Sequence, residues 1–332
     1  MTRTPLLMWL TASAFSLLAA DGSTSGSARD ARRQQTFRTE TNLVRLDVMA
    51  TVNGRALTGL TADDFEVLDN GVPQRVRMMT TVDKVRVLLL LDVSGSIALG
   101  TKMQSLVTAS HALLKSLGRD DEVSLMTFAN RLSLEATAVR DPEVLEKKLL
   151  AASGHPAGET ALWDALVAGL SLISSEEDRS LVLVLSDGLD TASWCDAQRV
   201  KQVARCGEAV VYAVTVPAMR TLTIEETRPR TAEERSRLEA INRARASYVP
   251  KDLKEVVEQS GGELFPAGQG DELTNTFVSV LERFRARYLL AYEPTGVRHD
   301  DGWHELRVAL KGRAATIRAR SGYYARPRRA GN

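Results

Sequence analysis

The chain has 332 residues, enough for two domains at about 150 residues each. Apolar residues make up 44% and charged residues 26%, which excludes collagen-like, disordered and coiled-coil readings of the whole. With 43 basic and 42 acidic side chains the net charge is +1, so nucleic acid is not an expected partner, and two cysteines cannot build a disulfide framework or a four-cysteine zinc site.

The first elements are read in chain order. Arg3 is followed by an uncharged stretch, Pro5 to Ala20 (PLLMWLTASAFSLLAA), with Ala19 and Ala20 placed for cleavage before Asp21. Residues 1–20 read as a secretory signal peptide, because about 15 apolar residues fall short of a bilayer span. Export to the periplasm or the extracellular space is the expectation, with no stable membrane span after cleavage. Residues 21–35, rich in Ser, Gly and Arg, read as a flexible leader. Residues 36–83 form an N-terminal β segment. Val44, Leu46, Val48 and Ala50 alternate with their neighbours as in a half-buried strand, and Asn53-Gly54 and Asn70-Gly71 are hairpin turn signals.

Residues 84–286 alternate strands and helices. Val85 to Leu91 (VRVLLLL) and Leu181 to Leu185 (LVLVL) are apolar runs of the kind buried on both faces of a parallel sheet. Val123 to Phe128 and Val210 to Val216 are further strands, and Leu132 to Thr137 suits an antiparallel edge. Helices are expected over Met103 to Leu117, Thr160 to Ser174, Leu253 to Gln259 and Leu273 to Phe284; in the second, Leu162, Ala165, Leu166, Gly169, Leu170 and Ile173 share one face. This rhythm predicts an α/β fold with a doubly wound, mostly parallel sheet. Residues 217–249 interrupt it with a stretch dense in Arg and Glu, read as a solvated insertion or a lid, with a helix over Thr231 to Arg245.

Residues 287–324 return to short strands at Tyr288 to Tyr292, Glu305 to Leu310 and Ala315 to Ala319, and 325–332 is a basic tail. The two β segments are expected to complete one small sandwich-like unit beside the α/β unit. Tyr288, Tyr292, Trp303, Tyr323 and Tyr324 are expected in its core. His299, Asp300, Asp301 and His304 are read as a solvated hairpin in preference to a second metal site. Export permits a bridge between Cys195 and Cys206, but sequence alone leaves a bridge and two buried thiols both open.

The chemistry sits at the strand exits. The run Leu88 to Leu91 leads straight into Asp92-Val93-Ser94-Gly95-Ser96, and Leu181 to Leu185 leads into Ser186-Asp187-Gly188. Gly158-Glu159-Thr160 opens the helix between them. Asp92, Ser94, Ser96, Thr160 and Asp187 are thus delivered to the carboxyl end of a doubly wound sheet, where such folds bind ligands. All five offer oxygen, which suits Mg²⁺, with Mn²⁺ or Ca²⁺ possible, over Zn²⁺ or Cu²⁺. Singly, each has a plainer reading as a loop, a turn or a helix cap; jointly they point to a metal site. The Gly95 to Lys102 stretch lacks the Gly-Lys-Ser/Thr order of a phosphate loop, and Ser94 is not in a Gly-x-Ser-x-Gly elbow.

These residues, with Gly158-Glu-Thr-Ala-Leu-Trp-Asp-Ala-Leu, resemble a von Willebrand factor type A (VWFA) domain with an intact metal-ion-dependent adhesion site. Leu43-Val-Arg-Leu-Asp-Val, Leu60-Thr-Ala-Asp-Asp-Phe and Ser321-Gly-Tyr-Tyr resemble a related family of exported bacterial proteins widespread in acidobacteria. The resemblance implies that Ser94 and Ser96 touch the ion directly, Thr160 does so with ligand bound, and Asp92 and Asp187 act mainly through water. A carboxylate of a protein partner would complete the shell. The implied function is an exported, metal-dependent binding module and not an enzyme. The alternatives are an envelope component in which the ion only staples loops, and a hydrolase acting through Ser94.

Overall fold

Val85 to Asp92 is apolar on both sides, and both sides are covered. The structure, a computed structural model, describes residues 43–78, 84–95, 101–153, 158–173, 178–216, 231–233, 235–236, 250–268, 270–298 and 302–325. The expected signal peptide, the leader, the basic tail and nearly all of the 217–249 insertion lie outside the described residues, as do Ser96, His299, Asp300 and Asp301.

The chain runs through β1 (Val44–Val52), β2 (Arg55–Ala56), β3 (Phe65–Asp69), β4 (Val72–Gln74) and β5 (Arg77–Met78) into β6 (Val85–Asp92). There follow α1 (Thr101–Lys115), β7 (Glu122–Phe128), β8 (Leu132–Val139), α2 (Pro142–Ser153), α3 (Leu162–Ile173), β9 (Arg179–Ser186), α4 (Ala197–Cys206), β10 (Val210–Thr215), α5 (Lys251–Gln259), β11 (Leu264–Pro266) and α6 (Asp271–Arg285). The described chain ends with β12 (Tyr288–Tyr292), β13 (Trp303–Leu310), β14 (Thr316–Arg318) and β15 (Gly322–Tyr324).

The central sheet has the order β11-β10-β9-β6-β7-β8, parallel except for the antiparallel edge strand β8. Alternate residues of β6 serve two cores. Val85, Val87, Leu89 and Leu91 pack with α1, α2 and α6, while Leu88 and Leu90 pack with α3, α4 and α5. That division is why the strand reads as an unbroken apolar run. The face of α3 buries the six residues its periodicity predicts, and a Cβ on Gly169 would come within 2.8 Å of Leu88 Cδ2, so the helix lies close on the strand.

The flanking strands draw on both ends of the chain. β1 pairs with β12 and β14, and β5 pairs with β12, in one sheet; the second has the order β15-β13-β3-β4. Val44, Leu46, Phe65, Val67, Leu290, Tyr292, Leu306 and Tyr323 from both sheets share one core. Asn53-Gly54 and Asn70-Gly71 take positive φ in both residues, the backbone a tight two-residue hairpin demands.

Two expectations change, two helices are added, and the cysteine alternatives are decided. Helices α2 and α4 are not among the expected elements; α4 turns Val200, Lys201 and Ala204 inward with Val203 against the same core, and α2 buries Leu145 and Leu149. His304 is not part of a solvated turn but is buried, with Nδ1 2.8 Å from Asp69 Oδ1. Asp69 also accepts from the hydroxyls of Tyr292 and Tyr323, each at 2.8 Å. Burial pushes both phenols above their usual range, which keeps them donors. Tyr324, expected in the core, is 43% exposed. Cys195, which precedes the Asp196 cap of α4, and Cys206, the last residue of that helix, are both free thiols, and neither is buried: Cys195 is half-buried and Cys206 exposed.

Candidate metal centre

Because β6 and β9 are adjacent and parallel, their last residues end side by side. Asp92 and Ser186 close the strands, and Ser94 and Asp187 begin the loops. Backbone bonds then join three loops: Val93 N donates to Phe128 O at 2.9 Å, Gly95 N to Gly158 O at 3.2 Å, and Ala161 N to Ala129 O at 2.8 Å. Asp92, Ser94, Thr160 and Asp187 are all buried at this rim, and the two carboxylates are 0% and 3% exposed. Four of the five sequence-predicted residues are therefore brought to one place; Ser96 lies outside the described residues.

The two carboxylates differ. Asp92 Oδ1 accepts from Ser94 N at 2.9 Å, and Oδ2 accepts from Ser186 Oγ at 2.6 Å. Burial nevertheless pushes the Asp92 carboxyl up to about 6, with the negative Asp187 nearby adding to it and the bonds from Ser186 and Ser94 opposing it. Asp187 Oδ1 accepts from Leu189 N at 3.0 Å, whereas its Oδ2 is buried without a hydrogen-bond partner. Such an atom costs about 1–3 kcal/mol or more unless something fills the position. Gly188 takes φ +78, and a Cβ there would meet Pro250 Cγ at 2.3 Å, so only glycine fits.

Sequence reasoning missed the residues that hold Thr160. The amides of the first turn of α3 need acceptors from outside the helix. Asp190 Oδ1 takes Leu162 N at 2.8 Å, and Ser193 Oγ takes Trp163 N at 3.0 Å and Asp164 N at 3.1 Å. Asp164 in turn accepts from Trp194 N and Cys195 N, both at 2.9 Å. Thr160 N donates to Thr191 Oγ1 at 2.9 Å, and Thr160 O accepts from Thr191 N at 2.8 Å and Ala192 N at 3.0 Å. The loop after β9 caps α3 from across the rim. The only sequence signal is the Asp-Thr-x-Ser run, which does not say which helix it caps.

Two carboxylates beside hydroxyls are hard-donor chemistry, and hydroxyls must supply the rest of any shell. Among the described residues no three His, Cys, Asp or Glu side chains gather as a metal-binding cluster. The described histidines are engaged elsewhere, His111 with Glu146 at 2.9 Å and His304 with Asp69.

The family model described as "VWA domain containing CoxE-like protein" matches residues 20–251, more than half of the chain. The chain belongs to this family. The match to the VWA family begins well before residue 84 and stops at the start of α5, so it does not follow the boundaries read from the alternation of elements. Solved structures with similar folds include BatB from Bacteroides thetaiotaomicron (15% identity, TM-score 0.43, 60% of this chain and 98% of that one). A von Willebrand factor type A protein from Catenulispora acidiphila is 12% identical with a TM-score of 0.49, over 82% of this chain and 75% of that one. Proximal thread matrix protein 1 from the mussel byssus, with a zinc-occupied MIDAS motif, is 14% identical with a TM-score of 0.47, over 62% of this chain and 46% of that one. No curated protein matches the chain in sequence. VWA domains commonly serve as interaction modules and not as enzymes. Among the described residues no helix is long and apolar enough to cross a membrane.

Proposed function

We propose that this VWA protein is an exported interaction module that holds a divalent cation, Mg²⁺ in the first instance, among Asp92, Ser94, Ser96, Thr160 and Asp187. The observation that carries the reading is the pair of buried carboxylates side by side with no cationic partner among the described residues, one oxygen of which accepts no hydrogen bond there. Buried like charges of this kind are costly unless countered. When bound, the ion would supply that countercharge and an open coordination position for a carboxylate from a protein partner. Asp92 and Asp187 would set its charge, the hydroxyls of Ser94, Ser96 and Thr160 would face it, and Ser186 would keep Asp92 turned toward the rim. The domain layout proposed with this reading is a signal peptide over 1–20, a flexible leader over 21–35, a VWA unit over 84–286 between β segments at 36–83 and 287–324, and a basic tail over 325–332.

A purely structural ion is the second reading. The loops are already tied by backbone bonds at Val93, Gly95 and Ala161, which speaks for a rim that is formed before the ion arrives. The test is thermal unfolding in Mg²⁺ and in EDTA. The wild-type chain is expected to unfold at higher temperature in Mg²⁺, and Asp187→Ala is expected to fold and show no such increment. An Mg²⁺ increment that survives in Asp187→Ala would overturn the metal assignment.

A further inference from the structure

Trp194 is 98% exposed, while Leu189, five residues before it, is 42% exposed. A fully exposed indole is unusual on a soluble surface, where tryptophan is on average well buried. Its backbone is not free to withdraw it. Trp194 N is held by Asp164 Oδ2, Cys195 N by Asp164 Oδ1, Ser193 Oγ by the first turn of α3, and Thr191 N and Ala192 N by Thr160 O. The loop that positions Thr160 therefore also holds the Trp194 backbone in place with its indole in solvent, and an aromatic side chain with only two torsions loses little entropy on docking.

We propose that the Leu189–Trp194 loop is the second half of the docking surface, and that Trp194 enters an apolar cleft of a partner polypeptide whose acidic side chain meets the cation. This rests on the metal reading above. Chemistry favours a polypeptide over an anionic lipid surface. The loop is flanked by Asp164, Asp190 and Asp196, each accepting from backbone amides, and these carboxylates oppose a surface dense in phosphate far more than a peptide with a single acid that the cation itself meets. Reach sets the spacing. Trp194 lies two residues beyond Ala192, at most about 7 Å of chain. The ring thus stands on the order of 10–15 Å from the rim, which an extended peptide covers in roughly three or four residues. The expected ligand carries an Asp or Glu with a large apolar residue at that separation.

The probe is a random dodecapeptide display library, selected on the whole chain in Mg²⁺, in EDTA, and on Trp194→Ser and Asp187→Ala in Mg²⁺. The wild-type chain in Mg²⁺ is expected to enrich peptides with an acid and a large apolar residue at one fixed spacing. The best of them should bind Trp194→Ser roughly 30-fold more weakly while keeping its sensitivity to EDTA. Because the indole touches so little, Trp194→Ser should unfold at the wild-type temperature, so a loss of binding is not a loss of fold. Peptides selected for the acid alone, or bound by Trp194→Ser within threefold of wild type, overturn the Trp194 proposal and leave the metal reading standing. Enrichment indifferent to EDTA and to Asp187→Ala overturns the metal reading, and no enrichment overturns both. Trp194-dependent binding to phosphatidylglycerol vesicles without peptide selection also overturns the proposal, in favour of a lipid surface.

Discussion

The two ends of the central sheet treat buried charge in opposite ways. At the amino ends of the strands, an acid precedes β7, β9 and β10, and each has a basic partner. Asp121 pairs with Arg285, Asp178 with Lys84 at 3.3 Å, and Glu208 with Arg45 at 3.5 Å and Arg320 at 3.8 Å. Asp47 of β1 meets Arg179, 3% exposed, whose Nε lies 3.0 Å from Asp47 Oδ1. Arg287 adds bonds to Asp47 O at 2.6 Å and to the Tyr212 hydroxyl at 3.2 Å. At the carboxyl ends, Asp92 and Asp187 are buried with hydroxyl and amide partners and, among the described residues, no cationic side chain. One end is electrically complete within the chain, and it is where the flanking strands dock. The other has no such countercharge among the described residues, and it is where the proposed cation would sit.

The largest effect is expected from breaking the complete end. Arg179→Ala would leave Asp47 buried beside an empty position and should cost about 3–5 kcal/mol in denaturant unfolding, with the Mg²⁺ increment retained. A cost under about 1 kcal/mol would mean that the ion pair is not what balances that end. Next comes the incomplete end. At a hundredfold excess over its dissociation constant, Mg²⁺ should add about 2.7 kcal/mol to the wild-type chain, and Asp187→Ala or Asp92→Asn should erase that gain. An equal gain in both variants would remove the distinction between the ends.

A smaller effect follows from the proton that competes with the ion. The Asp92 carboxyl is raised to about 6 by burial. Its neutral form therefore favours the metal-free fold at acid pH, and that contribution fades as pH rises through about 6. Melts at pH 5 and pH 7.5, with and without Mg²⁺, should show the increment shrinking on the acid side by about 1.4 kcal/mol per pH unit. A pH-independent increment would separate Asp92 from the ion. The smallest effect is expected from Asp190→Ala, which removes a cap from α3 at a cost of about 1 kcal/mol. It should weaken the response to Mg²⁺ by shifting Thr160, though Asp190 is not among the proposed ligands.

Much of this was legible because it is local. The apolar run of β6, the six-residue stripe of α3 and the two Asn-Gly turns each depend on neighbours within a few positions, and the strand exits place Asp92 and Asp187 once the strands are known. What was hidden is nonlocal or polar. Nothing near Asp190 or Ser193 in sequence says that they cap α3, some thirty residues back. Arg179, Asp69, Lys201 and His304 look like surface residues until their partners arrive from distant segments.

The pairing of β1 with β12 sets an order of events during synthesis. Val44 finds its partner in Tyr292, so the strand leaves the ribosome long before the segment that will cover it. At about 5–20 residues per second the wait is roughly 12–50 s. Through that interval the Val44–Val48 half of β1 lacks its sheet partner, with Leu46 and Val48 uncovered, the kind of strand that joins other chains. The first of the described strands is thus among the last to be buried, and the time between is when it is most exposed to aggregation.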